Sequence, residues 1–130
     1  MNYQLMTIFY LNIKDVKKIN RKIVPRSEAG FNYQGGIEFI LSNVKDLYED
    51  LPERESIIGK TAYLWHSIAS NQYLVSGNKR TGFVVAEVFL RINNLRLTMS
   101  EDNKFLVSHA ISNNIFTVDN VRQWITKSLK

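Results

Sequence analysis

The sequence predicts an all-α domain of about six helices around a buried central helix, with at most a short β-strand or hairpin. Apolar residues recur at intervals of three and four residues in several separate segments, which is the spacing of one helix face. Residues that cap or stop helices, such as Asn12 and Pro25, stand between these segments. Residues 83–92 are apolar almost throughout, so this segment is expected to be the central helix.

The composition fits one domain over residues 1–130, because a chain of this length buries about two thirds of its unfolded surface. The absence of cysteine excludes a disulfide scaffold, a thiolate metal site and a cysteine nucleophile. Residues 1–14 lack the features of a targeting segment, and no run of about 18 apolar residues would span a membrane. We therefore expect a cytoplasmic protein without membrane contact.

The net charge is +5 and the isoelectric point is about 9.5. This charge favours acidic partners only weakly, because it is more typical of a mildly basic surface. Nucleic-acid binding would rest on charge alone, since the lysines of residues 14–22 are interleaved like those of a solvated helix face. Nucleic acid is therefore not an expected partner.

The first part of the chain predicts a lead-in and two helices. Residues 3–10 alternate in part and predict a brief strand or an extended lead-in, after which Asn12 caps a helix over residues 13–24. Residues 25–36 end in two glycines and predict a loop that either connects helices or carries function. Residues 48–52 form a turn. The second helix carries its apolar residues at Ile37, Ile40, Leu41, Val44 and Leu47.

The remaining helices follow from the same patterns. A third helix is expected over residues 53–70, and the central helix ends at the asparagine pair 93–94. Residues 95–99 alternate briefly like a short edge strand. Ser100 and Thr117 are capping residues that begin the fifth and sixth helices.

The start of the central helix is the candidate site. Ser76 and Gly77 form a flexible turn, and Asn78, Lys79 and Arg80 follow at the first helical positions. The N–H groups of a helix N-terminus carry partial positive charge, and two cations beside them favour an anion such as phosphate. The alternative is a cationic helix start that binds no ligand.

Five other polar residues have local interpretations. Glu87 and Arg91 are four residues apart, in the favourable order for a surface ion pair. His66 would lie off the site on the preceding helix, where it packs or bonds its neighbours, and the sequence does not assign the face of His109. Glu38 is interpreted as a partner in a salt bridge or as part of a helix start.

Residues 76–81 resemble the core motif of the Fic/Doc superfamily, specifically the Doc (death-on-curing) branch of toxin–antitoxin modules. Residues 77–80 read Gly-Asn-Lys-Arg. Residues 35–41 are similar to the helix start that follows a variable loop in that branch, and residues 62–71 are similar to the helix that leads into its motif. The resemblance runs from about residue 10 to residue 124 and implies a Fido-like helical fold.

The catalytic half of the family motif is changed in this chain. Gln72 stands where the family has a histidine, Leu74 stands at an aromatic position, and Ser76 stands at the acidic or amide position. The resemblance implies that the histidine takes the proton of the target hydroxyl and that the acid holds Mg²⁺ on the nucleotide. Glutamine offers no basic nitrogen near pH 7, and a hydroxyl is a poor ligand for Mg²⁺, so Mg²⁺ binding is in doubt. Losing a general base costs about 10² to 10⁴ in rate, so the family reaction should be impaired.

Lys79 and Phe83 indicate the Doc branch, because adenylylating members generally have glycine and a second arginine at these places. The branch implies transfer of the terminal phosphoryl group of ATP to a protein hydroxyl, and neutralisation by a separate antitoxin. Gln72 takes the catalytic position. The residues proposed to bind the nucleotide phosphates are Ser76, Gly77, Asn78, Lys79 and Arg80.

Two hypotheses stay open at this stage. The chain is either a Doc-like phosphotransferase toxin, active weakly or through an unrecognised base, or a catalytically silent module that binds nucleotide or protein. Activity appearing only when the histidine and the acid are restored would distinguish the second from the first.

Overall fold

The computed structural model describes residues 7–130, so residues 3–6 of the predicted lead-in lie outside the described range, and residues 7–10 form neither helix nor strand. Six α-helices follow, and they confirm the predicted all-α class. They are α1 (Ile13–Ile23), α2 (Gln34–Asn43), α3 (Glu53–Ala69), α4 (Asn78–Ile92), α5 (Glu101–Ser112) and α6 (Val118–Ser128).

The predicted capping residues begin and end these helices. Asn12 caps α1 and Thr117 caps α6, each through its side chain and the third helical residue. Ser100 accepts a hydrogen bond from the backbone N–H of Asn103 at the start of α5. Asn94 follows α4 with a φ of 64°, the left-handed conformation that ends many helices.

Helices α3 and α4 form the centre of the core. α3 packs against α2, α4, α5 and α6, and its residues Ser56–Ala62 are buried without interruption. α4 is buried on one face, whereas the sequence predicts burial on nearly every face. The reason is that α4 is covered mainly by α3, α1 and α5, which leaves part of its apolar surface accessible. The buried residues of α4 are Asn78, Thr81, Gly82, Val85, Ala86, Phe89 and Leu90.

The start of α2 differs from the prediction of a loop over residues 25–36. That segment contains a 3-10 helix at Arg26–Glu28, and α2 begins already at Gln34. Gly36 is buried in the first turn, where an added Cβ would lie 2.7 Å from the ring of Tyr73. Close packing of this ring requires glycine, and it outweighs the low helix propensity of the residue.

The end of α2 also differs, because the helix stops at Asn43 and a 3-10 helix, Val44–Asp46, replaces the predicted continuation to Leu47. The cause lies on α3. The Nζ of Lys60 donates to three backbone carbonyls of this segment, at 3.0 Å for Val44, 3.2 Å for Lys45 and 2.6 Å for Leu47.

The predicted edge strand at residues 95–99 is wrong. Residues 7–130 contain only two isolated antiparallel bridges, Leu97 with Leu129 and Phe31 with Leu74. The partner of Leu97 lies in the short tail after α6, which is too short to build a ladder.

The predicted ion pair between Glu87 and Arg91 is absent from the described part of the chain. Glu87 instead lies 2.8 Å from the Nζ of Lys104 on α5, and Glu101 lies 3.0 Å from the same nitrogen. Packing of α5 against α4 brings Lys104 to Glu87 in a partly buried interface, where an ion pair is screened less than on an open helix surface.

Two titratable groups in this core hold their protons more tightly than usual. Burial alone would lower the pKa of Lys104, but its hydrogen bonds to Glu87 and Glu101 outweigh burial and raise the pKa above 10.5. Burial, followed by the charges of Glu49 and Asp46, raises the pKa of Tyr10 above 10.0. A group with a raised folded-state pKa stabilises the fold below its unfolded pKa and loses this contribution as pH rises.

We therefore expect these two groups to make the free energy of unfolding fall as pH rises above about 10. Urea denaturation at a series of alkaline pH values measures this. A variant with Lys104→Met and Tyr10→Phe should lose stability with a shallower slope than the wild type. Parallel slopes in the two proteins would contradict this assignment.

Candidate functional site

The start of α4 is formed by a left-handed glycine. Gly77 is the N-cap residue with φ 74° and ψ 28°, and its carbonyl accepts the first helical hydrogen bond from Thr81 at 2.8 Å. No side chain caps this terminus. Among the described residues, no acceptor contacts the backbone N–H groups of residues 77–80. Four donors are thus available at the positive end of the helix.

The side chain of Asn78 holds the segment that leads into α4. Its side chain is buried, its Oδ1 accepts from the N–H of Leu74 at 3.0 Å, and its Nδ2 donates to the carbonyl of Leu74 at 3.1 Å. A longer contact of 3.4 Å joins Nδ2 to the Oε1 of Gln72. The side chain is committed to residues 72–74, so the backbone N–H is the group that Asn78 offers to a ligand.

The two cations of the motif have different surroundings. Lys79 is partly buried and forms no ion pair within residues 7–130. Arg80 is exposed, and its Nη1 donates to the carbonyl of Ile23 at 3.4 Å, at the C-terminal end of α1. The partial negative charge of that helix end favours the guanidinium.

Gln72 and Ser76 complete the predicted site residues. The side chain of Gln72 is exposed, and that of Ser76 is partly buried. The backbone carbonyl of Gln72 accepts from the Nδ2 of Asn32 at 3.0 Å. All of the predicted site residues lie within residues 72–80. This segment is hydrogen-bonded to residues that the sequence analysis did not single out.

Two asparagines supply those contacts. Asn20, on α1, donates to the backbone carbonyl of Ser76 at 3.1 Å, and Asn32 donates to the carbonyls of both Gln72 and Leu74. The sequence contains one indication that Asn20 has a buried hydrogen-bond partner. Asn20 lies on the apolar face of α1, four residues after Val16, where an amide needs a buried partner.

The two histidines are engaged elsewhere. The Nε2 of His66 lies 3.1 Å from the carbonyl of Phe116, which confirms the prediction that it bonds a neighbour. His109 is exposed on α5 and stacks on the ring of Phe105, with 5.7 Å between ring centroids. Glu38 is exposed on α2 and has no ion pair among the described residues.

Carboxylates and imidazoles do not converge at the turn. Within residues 7–130, no three side chains of His, Cys, Asp or Glu come close enough together to hold a metal ion. Ser76 offers a neutral hydroxyl, which Mg²⁺ prefers less than a carboxylate. The residues present therefore do not fit a Mg²⁺ ion held by the protein alone.

Fold and site together define a class of protein, namely an all-α domain in which a glycine-capped, cationic helix start packs on the first helix. The model of the Fic/DOC family matches residues 10–90. This match covers more than half of the chain and includes the whole turn, so the chain belongs to the Fic/DOC family.

A comparison with curated proteins gave no match. The family match ends within α4, whereas the resemblance proposed from the sequence extends to residue 124. No helix in the described part of the chain has the length and apolar character needed to cross a membrane.

Proposed function

We propose that this chain is a Doc-branch member of the family that binds the phosphates of ATP at the start of α4 and that is impaired in transferring the terminal phosphoryl group to a protein hydroxyl. The observation that carries the proposal is the set of four backbone N–H groups without an acceptor, next to two cations. The ligand-binding residues would be Ser76, Gly77, Asn78, Lys79 and Arg80.

Phosphate fits this segment for electrostatic reasons. The aligned peptide dipoles of α4 place about half a positive charge at its N-terminus. Lys79 adds a full charge that no acid among the described residues neutralises. Hydrogen bonds from charged or polarised donors to phosphate are about twice as strong as neutral ones.

The proton-transfer step is where this chain lacks a suitable group. When the target hydroxyl attacks the phosphorus, its proton must go to a base while the bond to the leaving diphosphate breaks. Gln72 stands at the position of the family base, and its amide does not accept a proton near pH 7. His66 and His109 are held in contacts with Phe116 and Phe105.

The second candidate function is a catalytically silent module that binds nucleotide or protein and regulates another chain. The contact between Gln72 and Asn78 favours it, because the glutamine takes part in holding the turn in place. The Doc branch implies an antitoxin partner, and under this second function such a partner would be occupied without phosphoryl transfer.

Calorimetric titration with ATP and with ADP tests the proposed binding. We expect the wild type to bind both nucleotides and Lys79→Ala to bind them about tenfold more weakly or worse, because one charged contact to phosphate is lost. Lys127→Ala is the matched control, since Lys127 is an exposed lysine on α6 without an ion pair among the described residues. A wild type that binds neither nucleotide would rule out both functions in their nucleotide-binding form.

A further inference from the structure

Asn20 is the only polar residue of α1 that is fully buried in the described structure, and its amide joins three segments of the chain. Its side chain is 1% exposed. The Nδ2 donates to the carbonyl of Ser76 at 3.1 Å and to the Oγ1 of Thr81 at 3.2 Å. The Oδ1 accepts from the N–H of Gly30 at 3.1 Å.

These bonds act on the peptide unit that precedes the helix start. A trans peptide is planar, so its C=O and its N–H point in opposite directions. Because the carbonyl of Ser76 points to Asn20, the N–H of Gly77 in the same peptide unit points away from α1. Among residues 7–130, this N–H has no acceptor.

Glycine at position 77 makes this peptide easy to rotate. Gly77 has a φ of 74°, and glycine populates positive and negative φ about equally. Rotation of the peptide by half a turn would place the Ser76 carbonyl where the N–H now points. An oxygen there would repel a phosphate instead of binding it.

Val24, the residue that follows α1, lies close to Gly77. A Cβ built on Gly77 would lie 2.5 Å from the Cγ1 of Val24 and 3.8 Å from the Nδ2 of Asn20. A side chain at position 77 would therefore collide with Val24, and the close approach of this segment to the turn requires glycine.

We propose that Asn20 is a positioning residue, which holds the Ser76–Gly77 peptide in the orientation that presents the Gly77 N–H to a phosphate. This rests on the proposed nucleotide binding. Asn20 also holds Gly30, from whose N–H it accepts a hydrogen bond. The carbonyl of Gly30 accepts from the N–H of Val75, and the next residue, Phe31, forms the bridge to Leu74. Asn20 thus couples the turn to the segment before α2.

Asn20→Asp tests this inference with almost no change of shape. The carboxylate still accepts from Gly30, but it no longer donates to Ser76 and places an oxygen against the Ser76 carbonyl. We expect ATP binding to weaken about tenfold or more and the Gly77 amide resonance to shift in the absence of nucleotide. Asn20→Ala removes the same donor without adding charge, and it serves if the aspartate variant does not fold.

Asn93→Asp is the matched control. Asn93 is also a buried amide with three hydrogen bonds, to the N–H and carbonyl of Phe9 and to the carbonyl of Phe89, but it lies at the opposite end of α4. It should lower the melting temperature in the same way as Asn20→Asp. It should change ATP affinity less than about twofold and leave the Gly77 resonance in place.

The inference is overturned if Asn20→Asp weakens ATP binding no more than Asn93→Asp, or if the Gly77 resonance does not move. A purely structural role would produce the first result, because both substitutions remove donors from buried amides. If the wild type binds no ATP, the proposed function fails. The Gly77 resonance in the nucleotide-free protein still decides whether Asn20 sets the orientation of the peptide.

Discussion

The double variant Gln72→His, Ser76→Asp is expected to phosphorylate protein targets at about 10² to 10⁴ times the rate of the wild type, which is the typical contribution of a general base. The imidazole would supply the proton acceptor that the glutamine amide lacks. Gln72 is exposed, so a histidine at this position would not be buried. A neutral imidazole offers a ring nitrogen that accepts a proton.

The second substitution supplies the missing carboxylate. Position 76 directly precedes the N-cap of α4, where the helix dipole favours a negative charge. The aspartate would stay ionised at neutral pH and offer Mg²⁺ a hard oxygen ligand. The backbone carbonyl of this residue bonds Asn20 and does not depend on the side chain, so the turn should be kept.

Incubation with labelled ATP, magnesium and cell extract measures this prediction. The silent-module hypothesis expects labelled protein with the double variant and none with either single variant. Adding Lys79→Ala to the double variant should remove the labelling, which ties the reaction to the helix start. Equal labelling by the wild type would instead show that the chain is active through a base other than the restored histidine.

Lys60→Met is expected to produce the largest loss of stability, about 3 to 5 kcal/mol, because it removes the charge that three carbonyls and one carboxylate face. The side chain of Lys60 is 0% exposed, and its Nζ lies 3.4 Å from the carboxylate of Glu49. The same nitrogen lies 5.5 Å from the centre of the Tyr10 ring. Methionine fills a similar volume but removes the charged donor from the carbonyls of Val44, Lys45 and Leu47.

Urea denaturation of Lys60→Met and of Lys45→Met provides the comparison. Lys45 is a lysine of the same region that is exposed and also lies over Tyr10, at 5.8 Å, but its Nζ bonds no carbonyl among the described residues. Its replacement should change the free energy of unfolding by less than about 0.5 kcal/mol. Equal losses in the two variants would show that the carbonyl contacts of Lys60 contribute nothing.

The helices and their starts could be predicted from the sequence because they depend on neighbouring residues. Asn12, Ser100 and Thr117 cap helices through residues three positions later, and the helical apolar spacing depends only on the chain itself. The Gly-Asn-Lys-Arg segment was found in the same way. Its glycine is the N-cap of α4, and its other three residues form the first turn of the helix.

The errors lie where a distant residue decides the outcome. α2 ends at Asn43, and Lys60 bonds carbonyls of the segment that follows it. Its first turn contains Gly36, against which the ring of Tyr73 packs. Glu87 pairs with Lys104 rather than with Arg91, since α5 packs beside α4. Each contact joins residues that no periodic pattern relates.

In the candidate site, too, features that depend on neighbouring residues were predicted, and features that depend on distant residues were not. The sequence by itself determined the cations and the glycine of the turn, because these are properties of adjacent residues, and it is the source of the hypothesis that Gln72 replaces the family histidine. Only the tertiary structure decided which backbone carbonyls of the turn are hydrogen-bonded, since Asn20 and Asn32 reach them from helix and loop segments at least 40 positions away. Hydrogen bonds of this kind depend on how the helices pack. In a close-packed core, the position of each helix depends on all of the side chains around it.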